Sequence, residues 1–176
     1  MKRFLRAMTS MLVLGGCATA AVDAPPLIGQ AVLKDKTGQQ VGLATLTEEA
    51  DGVRIEITGA GLPPGPKGLH IHRVASCEPP DFVSAGAHFN PAGKKHGRLN
   101  PDGAHAGDLP NLVVTPLGAA GLDATTKAVT LKTGGPRSLF GEGGTSLIIH
   151  AQADDEKTDP TGNSGARIAC GVITRR

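Results

Sequence analysis

The chain has 176 residues, of which 39% are hydrophobic and 19% charged, with a formal net charge of +2. These values fit one ordinary globular domain and exclude a multidomain machine, a disordered tail or a membrane channel. It carries 6 His, 3 Cys, 25 Gly and 13 Pro but no Trp, no Tyr and 4 Phe, so its core is aliphatic and it lacks the stacking platforms that single-stranded nucleic-acid binding favours.

In chain order, Lys2, Arg3 and Arg6 precede an apolar run from Ala7 to Gly16, the pattern of a secretory signal. The run is about half of the roughly 20 residues that a bilayer-spanning helix needs. Leu14-Gly15-Gly16-Cys17 resembles the lipobox of bacterial lipoproteins. That implies a signal peptide over residues 1–16, acylation of Cys17 as the first mature residue, and a tether over residues 17–27. An ordinary cleaved signal with an incidental cysteine is the alternative. The expected location is the periplasm, with the lipid in a membrane; Ala18 after the cysteine favours the outer membrane where the organism has one. Cleavage removes three positive charges and no negative ones, so the formal charge falls from +2 to −1, and the precursor's basicity is no argument for nucleic-acid binding. Export also implies an oxidising compartment, in which Cys77 and Cys170 are one possible disulfide pair or, alternatively, two free thiols.

Beyond the tether the pattern is β-type. Strands are expected over Gly29–Lys34, Val41–Thr47 and Val53–Ile57, where Val53, Ile55 and Ile57 alternate with Arg54 and Glu56, and Ala50-Asp51-Gly52 is a plausible hairpin turn. Further strands are expected at Gly68–His72, Asn111–Pro116, Ala128–Lys132, Ser146–Ala151 and Arg167–Ile173. No segment sustains a helical period. Two irregular stretches, Ala75 to Pro110 and Gln152 to Gly165, exceed simple turns, and loops of that length in a compact domain are usually functional. The expectation is one all-β domain over residues 28–176, a sandwich or barrel.

The histidines are concentrated. His70 and His72 share one face of an expected strand, so both imidazoles can reach one ion. His88, His96 and His105 follow in the first long loop, with Asp108 three residues further on, a set suited to tetrahedral zinc. His150 closes the last strand before the second loop. Seven potential ligands are too many for one tetrahedral ion. Four nitrogens in a tetragonal arrangement suit Cu(II), and a closed set of imidazoles with one carboxylate suits Zn(II). Two four-coordinate sites made from seven residues need one shared ligand, which only an imidazole deprotonated at both nitrogens provides. Spacing does not say which histidine is shared.

The blocks Gly68-Leu69-His70-Ile71-His72, Gly86-Ala87-His88-Phe89-Asn90-Pro91, Gly103-Ala104-His105-Ala106-Gly107-Asp108 and Gly162-Asn163-Ser164-Gly165-Ala166-Arg167-Ile168-Ala169-Cys170-Gly171 resemble the exported copper/zinc superoxide dismutases of bacteria, over residues 28 to the end. The resemblance implies a Greek-key β-barrel with long metal-binding and electrostatic loops, and one copper and one zinc per subunit. Copper would be held by His70, His72, His88 and His150, and zinc by His88, His96, His105 and Asp108. It also implies a Cys77–Cys170 disulfide, Asp154 linking a copper histidine to a zinc histidine, and Arg167 guiding the superoxide substrate, with His88 taking part in catalysis as the bridge. Partners would be superoxide and, through Cys17, a membrane, for a monomer or homodimer. Arg73 departs from the family, which commonly has Glu after the His-x-His pair; it is read as structural or surface, or as modifying the attraction of anions. Two other readings are a silent metal-binding relative, disfavoured because all four copper ligands and Arg167 are present, and a zinc hydrolase, disfavoured because the zinc set is full.

Overall fold

The computed structural model describes residues 25–176, so the signal, Cys17 and most of the tether lie outside the described residues. Ten strands follow: β1 (Ile28–Asp35), β2 (Gln40–Glu49), β3 (Gly52–Gly59), β4 (Gly65–Lys67), β5 (Leu69–His72), β6 (Leu112–Val114), β7 (Ala120–Thr126), β8 (Ser146–His150), β9 (Arg167–Val172) and β10 (Thr174–Arg175). The one helical element described is a 3-10 turn at Val83–Ala85. No helix among the described residues is long and apolar enough to cross a membrane.

The first three strands form a meander because their alternation agrees. Ala31 and Leu33, then Ala44 and Leu46, then Val53, Ile55 and Ile57 all turn inward with exposures of 0–2%, while Arg54 points outward to Asp123 on β7 at 2.6 Å. A two-residue turn, Ala50-Asp51, joins β2 to β3, whose ladder begins with Glu49 opposite Gly52. Gly52 sits at φ +137, and a Cβ there would lie 2.3 Å from the Thr126 carbonyl oxygen, so no other residue fits.

Strand order is β4-β6-β7-β3-β2-β1-β9-β8-β5, with β10 paired to β1. Strands β6 and β7 return to fill the space between β3 and β4, which is the Greek-key step. The end strands β4 and β5 are separated in sequence by Gly68 alone, so the sheet has to curl until its two edges meet, giving a nearly closed antiparallel barrel. At the seam the Lys67 ammonium donates to the Ala151 carbonyl at 3.0 Å.

Alternation on β5 and β8 places the site outside the barrel. Leu69 and Ile71, paired with Ile149 and Leu147, belong to the interior core, each burial contributing about 1.5–3 kcal/mol. His70 and His72 point the other way, on the face that carries Ile148 and, from β9, Cys170. There Ile148 and Cys170 form a second small cluster with Phe82 and Ala85 from the first long loop.

The strand expected at Ala128–Lys132 is not formed; the strand in this region is β7, one segment earlier. Val129 and Leu131 are buried as their alternation suggests, at 2% and 0% exposure, but the neighbouring backbone, residues 137–139, meets the segment at Thr130 alone, in an isolated bridge to Ser138. The Glu48 carboxylate takes a strand's place, accepting from the Leu131 N–H at 2.6 Å and the Thr130 hydroxyl at 2.8 Å. Conversely β7, with Gly121, Asp123 and Thr125, has weak apolar alternation and is fixed by its ladder with β3.

Candidate metal centre

His70 and His72 lie on β5, whose free edge is covered by the first long loop rather than by another strand. The Ile71 N–H donates to the Gly107 carbonyl at 2.9 Å, Phe89 N–H to Ile71 at 2.8 Å, and Arg73 N–H to Ala87 at 3.0 Å. These bonds set Asp108 opposite His70 and His88 opposite His72. Gly107 allows the approach, since a Cβ there would be 2.3 Å from the Ile71 oxygen. His150 enters from the end of β8, and its N–H donates to the Gly68 carbonyl at 2.8 Å.

All six histidines and Asp108 are buried, at 0–8% exposure, and for His70, His72 and His150 an oxygen acceptor fixes which ring nitrogen carries the proton. His72 Nδ1 donates to the Gly86 carbonyl at 2.9 Å and His150 Nδ1 to Gly165 at 3.1 Å. His70 Nε2 donates to Asp154 Oδ2 at 2.7 Å. What remains is His70 Nδ1, His72 Nε2, His150 Nε2 and His88 Nε2, every one buried with no hydrogen-bond partner. These four residues bring one donor atom each to within 4.8 Å of one another. Unpartnered buried polar atoms are costly, and four imidazole nitrogens meeting at one point fit a copper-type ion.

The other nitrogen of His88 belongs to a second set. His88 Nδ1 is 3.1 Å from Asp108 Oδ1 and 3.3 Å from His105 Nδ1, while His96 Nδ1 and His105 Nδ1 stand 3.1 Å and 3.3 Å from the same oxygen. A tetrahedral zinc with ligands at about 2.0–2.1 Å has edges of about 3.3 Å, so these atoms occupy the corners of such a site. His70 also comes within 4.8 Å of His88, His96 and Asp108, but its Nε2 is engaged by Asp154 and its Nδ1 lies in the first set. The chain therefore carries two adjoining metal-ready sets, with His88 contributing a different nitrogen to each.

Asp154 joins the two sets from behind. Besides accepting from His70, its other oxygen accepts from His96 Nε2 at 3.0 Å. Asn111 holds it in place, accepting from the Asp154 N–H at 2.8 Å and donating to its carbonyl at 2.9 Å. The roles of Asn111 and of the Gly86 and Gly165 carbonyls are not legible in the sequence. Asn111 stands directly after the Asp108-Leu109-Pro110 block, and that adjacency was the available signal.

The electrostatics agree with metal binding. Burial, with the neighbouring His88 and Arg167 adding to it, pushes His72 down to about 2 against the Gly86 bond. Burial likewise takes His150 to about 3 and His88 to about 4. These rings are neutral at pH 7 and offer their lone pairs without first losing a proton. For Asp108, burial acts upward, but hydrogen bonds from His105, His88, His96 and the Gly97 N–H hold it far below the carboxylate range. His96 is the exception: burial acts downward, yet Asp108 and Asp154 on either side raise it to about 9, so a metal ion bound there would have to displace a proton.

A cleft of about 820 Å³ reaches this centre, with His88, His105, Arg167, Arg73 and Glu142 among its lining. Arg167, at the start of β9, donates to the Phe82 carbonyl at 2.6 Å and the Gly86 carbonyl at 2.7 Å. Both carbonyls belong to the loop segment that the Cys77–Cys170 disulfide, with Cα atoms 5.6 Å apart, ties to β9. The disulfide thus positions the guanidinium through the loop that holds it.

Residues 40–173 match the copper/zinc superoxide dismutase family. Superoxide dismutase (Cu-Zn) 2 of Aquifex aeolicus is 50% identical over 148 residues, covering 84% of this chain and 86% of the relative. The corresponding enzyme of Caulobacter vibrioides is 44% identical over 145 residues, covering 81% and 83%. The crystal structure of a superoxide dismutase-like protein from Bacillus subtilis superposes with a TM-score of 0.79 at 43% identity, covering 82% of this chain and 97% of that one. With barrel, ligand geometry and sequence in agreement, the chain belongs to the copper/zinc superoxide dismutase family.

Proposed function

We propose that the protein disproportionates superoxide, two anions and two protons giving one oxygen and one hydrogen peroxide, with copper held by His70, His72, His88 and His150 and zinc by His88, His96, His105 and Asp108. The observation that carries this reading is the set of four unpartnered buried nitrogens beside a tetrahedral set, sharing His88. When bound, copper supplies a one-electron acceptor and donor, and zinc a closed, redox-silent anchor.

The protein's own groups supply the rest. Arg167 is permanently charged, and its guanidinium spends two of its five N–H donors on Phe82 and Gly86, which leaves the others to hold a small anion. His88 takes a proton at Nε2 as an electron enters the site and gives it up as that electron leaves. Electron and proton travel together, so no uncompensated charge is created in a buried site. The second proton comes from water through the cleft. Asp154 keeps His70 and His96 in the tautomers that direct Nδ1 of each inward. The test is metal content together with turnover of purified protein. One copper and one zinc per chain with turnover far above that of free copper is expected; both metals with no such excess would falsify the assignment.

The N-terminus supports export and lipid attachment at Cys17: the charged start, the apolar run and the Leu14-Gly15-Gly16-Cys17 block precede a tether of about ten residues, and the disulfide belongs to an oxidising compartment. The location that follows is the periplasm, at a membrane. Wild-type protein is expected to partition into detergent and Cys17→Ala into water; identical partitioning sinks the lipid anchor.

A further inference from the structure

The surroundings of Arg73 favour an anion-attracting role over a merely structural one. Arg73 follows His72 at the end of β5, with its backbone held by the Ala87 carbonyl at 3.0 Å. Its side chain crosses Gly86: a Cβ built on that glycine would lie 3.3 Å from Arg73 Cγ and 3.5 Å from its Nε. Gly86 is the residue whose carbonyl accepts from both His72 and Arg167, so the two arginines are anchored around one glycine beside the first ligand set. Arg73 is exposed. Among the described residues it makes no ion pair, unlike Arg54 and Arg98 with Asp123 and Glu156.

The charges lining the cleft are few. Arg73 and Arg167 are positive, Glu142 is the one carboxylate, and His88 and His105 are the remaining titratable groups. Arg167 is offset by Glu142 and by Asp81, which faces its guanidinium, so Arg73 is a positive charge on the lining that no nearby carboxylate pairs. A cleft with low-dielectric walls focuses the field of such a charge along its length, raising the arrival rate of an oppositely charged substrate.

We propose that Arg73 is a second anion-steering residue, which adds positive charge to the outer part of the cleft and draws superoxide in from solvent toward Arg167. The inference rests on the proposed activity and adds to it a specificity-determining position. It acts on arrival rather than on the reacting atoms, so it is a steering residue and not a catalytic one.

The experiment compares copper- and zinc-loaded wild type, Arg73→Gln, Arg73→Glu, Arg73→Lys and Glu142→Gln, reading kcat/KM for superoxide against ionic strength and, separately, azide affinity from the visible spectrum of copper. At low ionic strength Arg73→Gln is expected to lower kcat/KM about two- to threefold and Arg73→Glu about four- to tenfold. Arg73→Lys should retain the wild-type rate, and Glu142→Gln should raise it. The differences should close near 1 M salt, where the screening length is about 3 Å. Azide affinity should follow the same order. Wild-type rate and azide affinity in both Arg73→Gln and Arg73→Glu, or equal losses at low and high salt, overturn the proposal. Azide binding that depends on Arg73 in a protein without turnover overturns the proposed activity and leaves the steering role standing.

Discussion

Along β1, β2, β3 and β7 each strand hydrogen-bonds to its neighbour for most of its length, and the residues between them are aliphatic and buried. From residue 73 to residue 111 the chain instead borrows the edge of β5 through a few backbone bonds, a disulfide and a two-way clamp between Asn111 and Asp154. The first region satisfies its polar groups with its own ladder. Where the second meets the edge of the barrel, five buried imidazole nitrogens, of His70, His72, His88, His96 and His150, have no hydrogen-bond partner. A barrel that is complete without metal thus supports a loop layer whose completion requires one, and binding energy for metal is stabilisation of that layer.

The sharpest way to break this division is His88→Ala, which removes a ligand from both sets at once. Loss of both metals and a fall of turnover to that of free copper are expected, with far-ultraviolet circular dichroism unchanged; retention of a full complement of either metal would refute the shared-ligand geometry. Reduction of Cys77–Cys170 releases a loop closed over a sequence separation of 93, at a cost of about 4–5 kcal/mol by loop-closure entropy. Its signature should be faster hydrogen exchange at Phe82–Asp108, with β1 to β3 still protected. The opposite pattern comes from Ile55→Ala, fully buried on β3: about 2–5 kcal/mol of stability is lost in denaturant titration while metal affinity stays as in wild type. Weakened metal binding in that variant would show that the two regions are not separable. Asp154→Ala leaves His70 and His96 without their rear acceptor and should weaken metal binding by about 10–100-fold in competition titrations.

The smallest effect is on pH dependence, and it distinguishes the metal-free from the loaded protein. His72, His150 and His88 fall to about 2, 3 and 4 in the folded chain from about 6.5 unfolded. Their contribution is therefore present above pH 6.5 and is lost as pH falls from there through those values, because the unfolded state binds more protons. His96 has the reverse sign: raised to about 9, it contributes below pH 6.5 and loses that contribution as pH rises through 9. Thermal unfolding of the metal-free protein should give a Tm that declines on both sides of about pH 6.5. The alkaline decline should vanish on loading zinc, which takes the place of the His96 proton.

Strands with a self-evident partner were the readable part of the chain. Val53-Arg54-Ile55-Glu56-Ile57 declares both its conformation and its inward face, and Gly52 marks the turn before it. Residues 128–132 carry a similar alternation but form no strand, because the backbone alongside, residues 137–139, pairs with Thr130 alone, and the next N–H, of Leu131, goes to the Glu48 carboxylate. β7 was missed for the complementary reason, since Gly121, Asp123 and Thr125 carry little periodic signal and the ladder with β3 decides their conformation. In the site, residue types and spacing identified the ligand-type residues around His88. The orientation of each ring was not legible, because it depends on carbonyls such as those of Gly86 and Gly165 that have no side-chain signature.

The amino-acid sequence by itself determined an all-β chain, an aliphatic core, and a ligand inventory of six histidines and Asp108, since periodicity and residue chemistry are local properties. Tertiary structure alone decided that Gly68 joins two edges of a curled sheet, that each nitrogen of His88 faces a different set, and that Arg73 stands in the cleft with Arg167. Those facts depend on where distant backbone segments meet, and on which of two ring nitrogens a carbonyl from another element has already engaged.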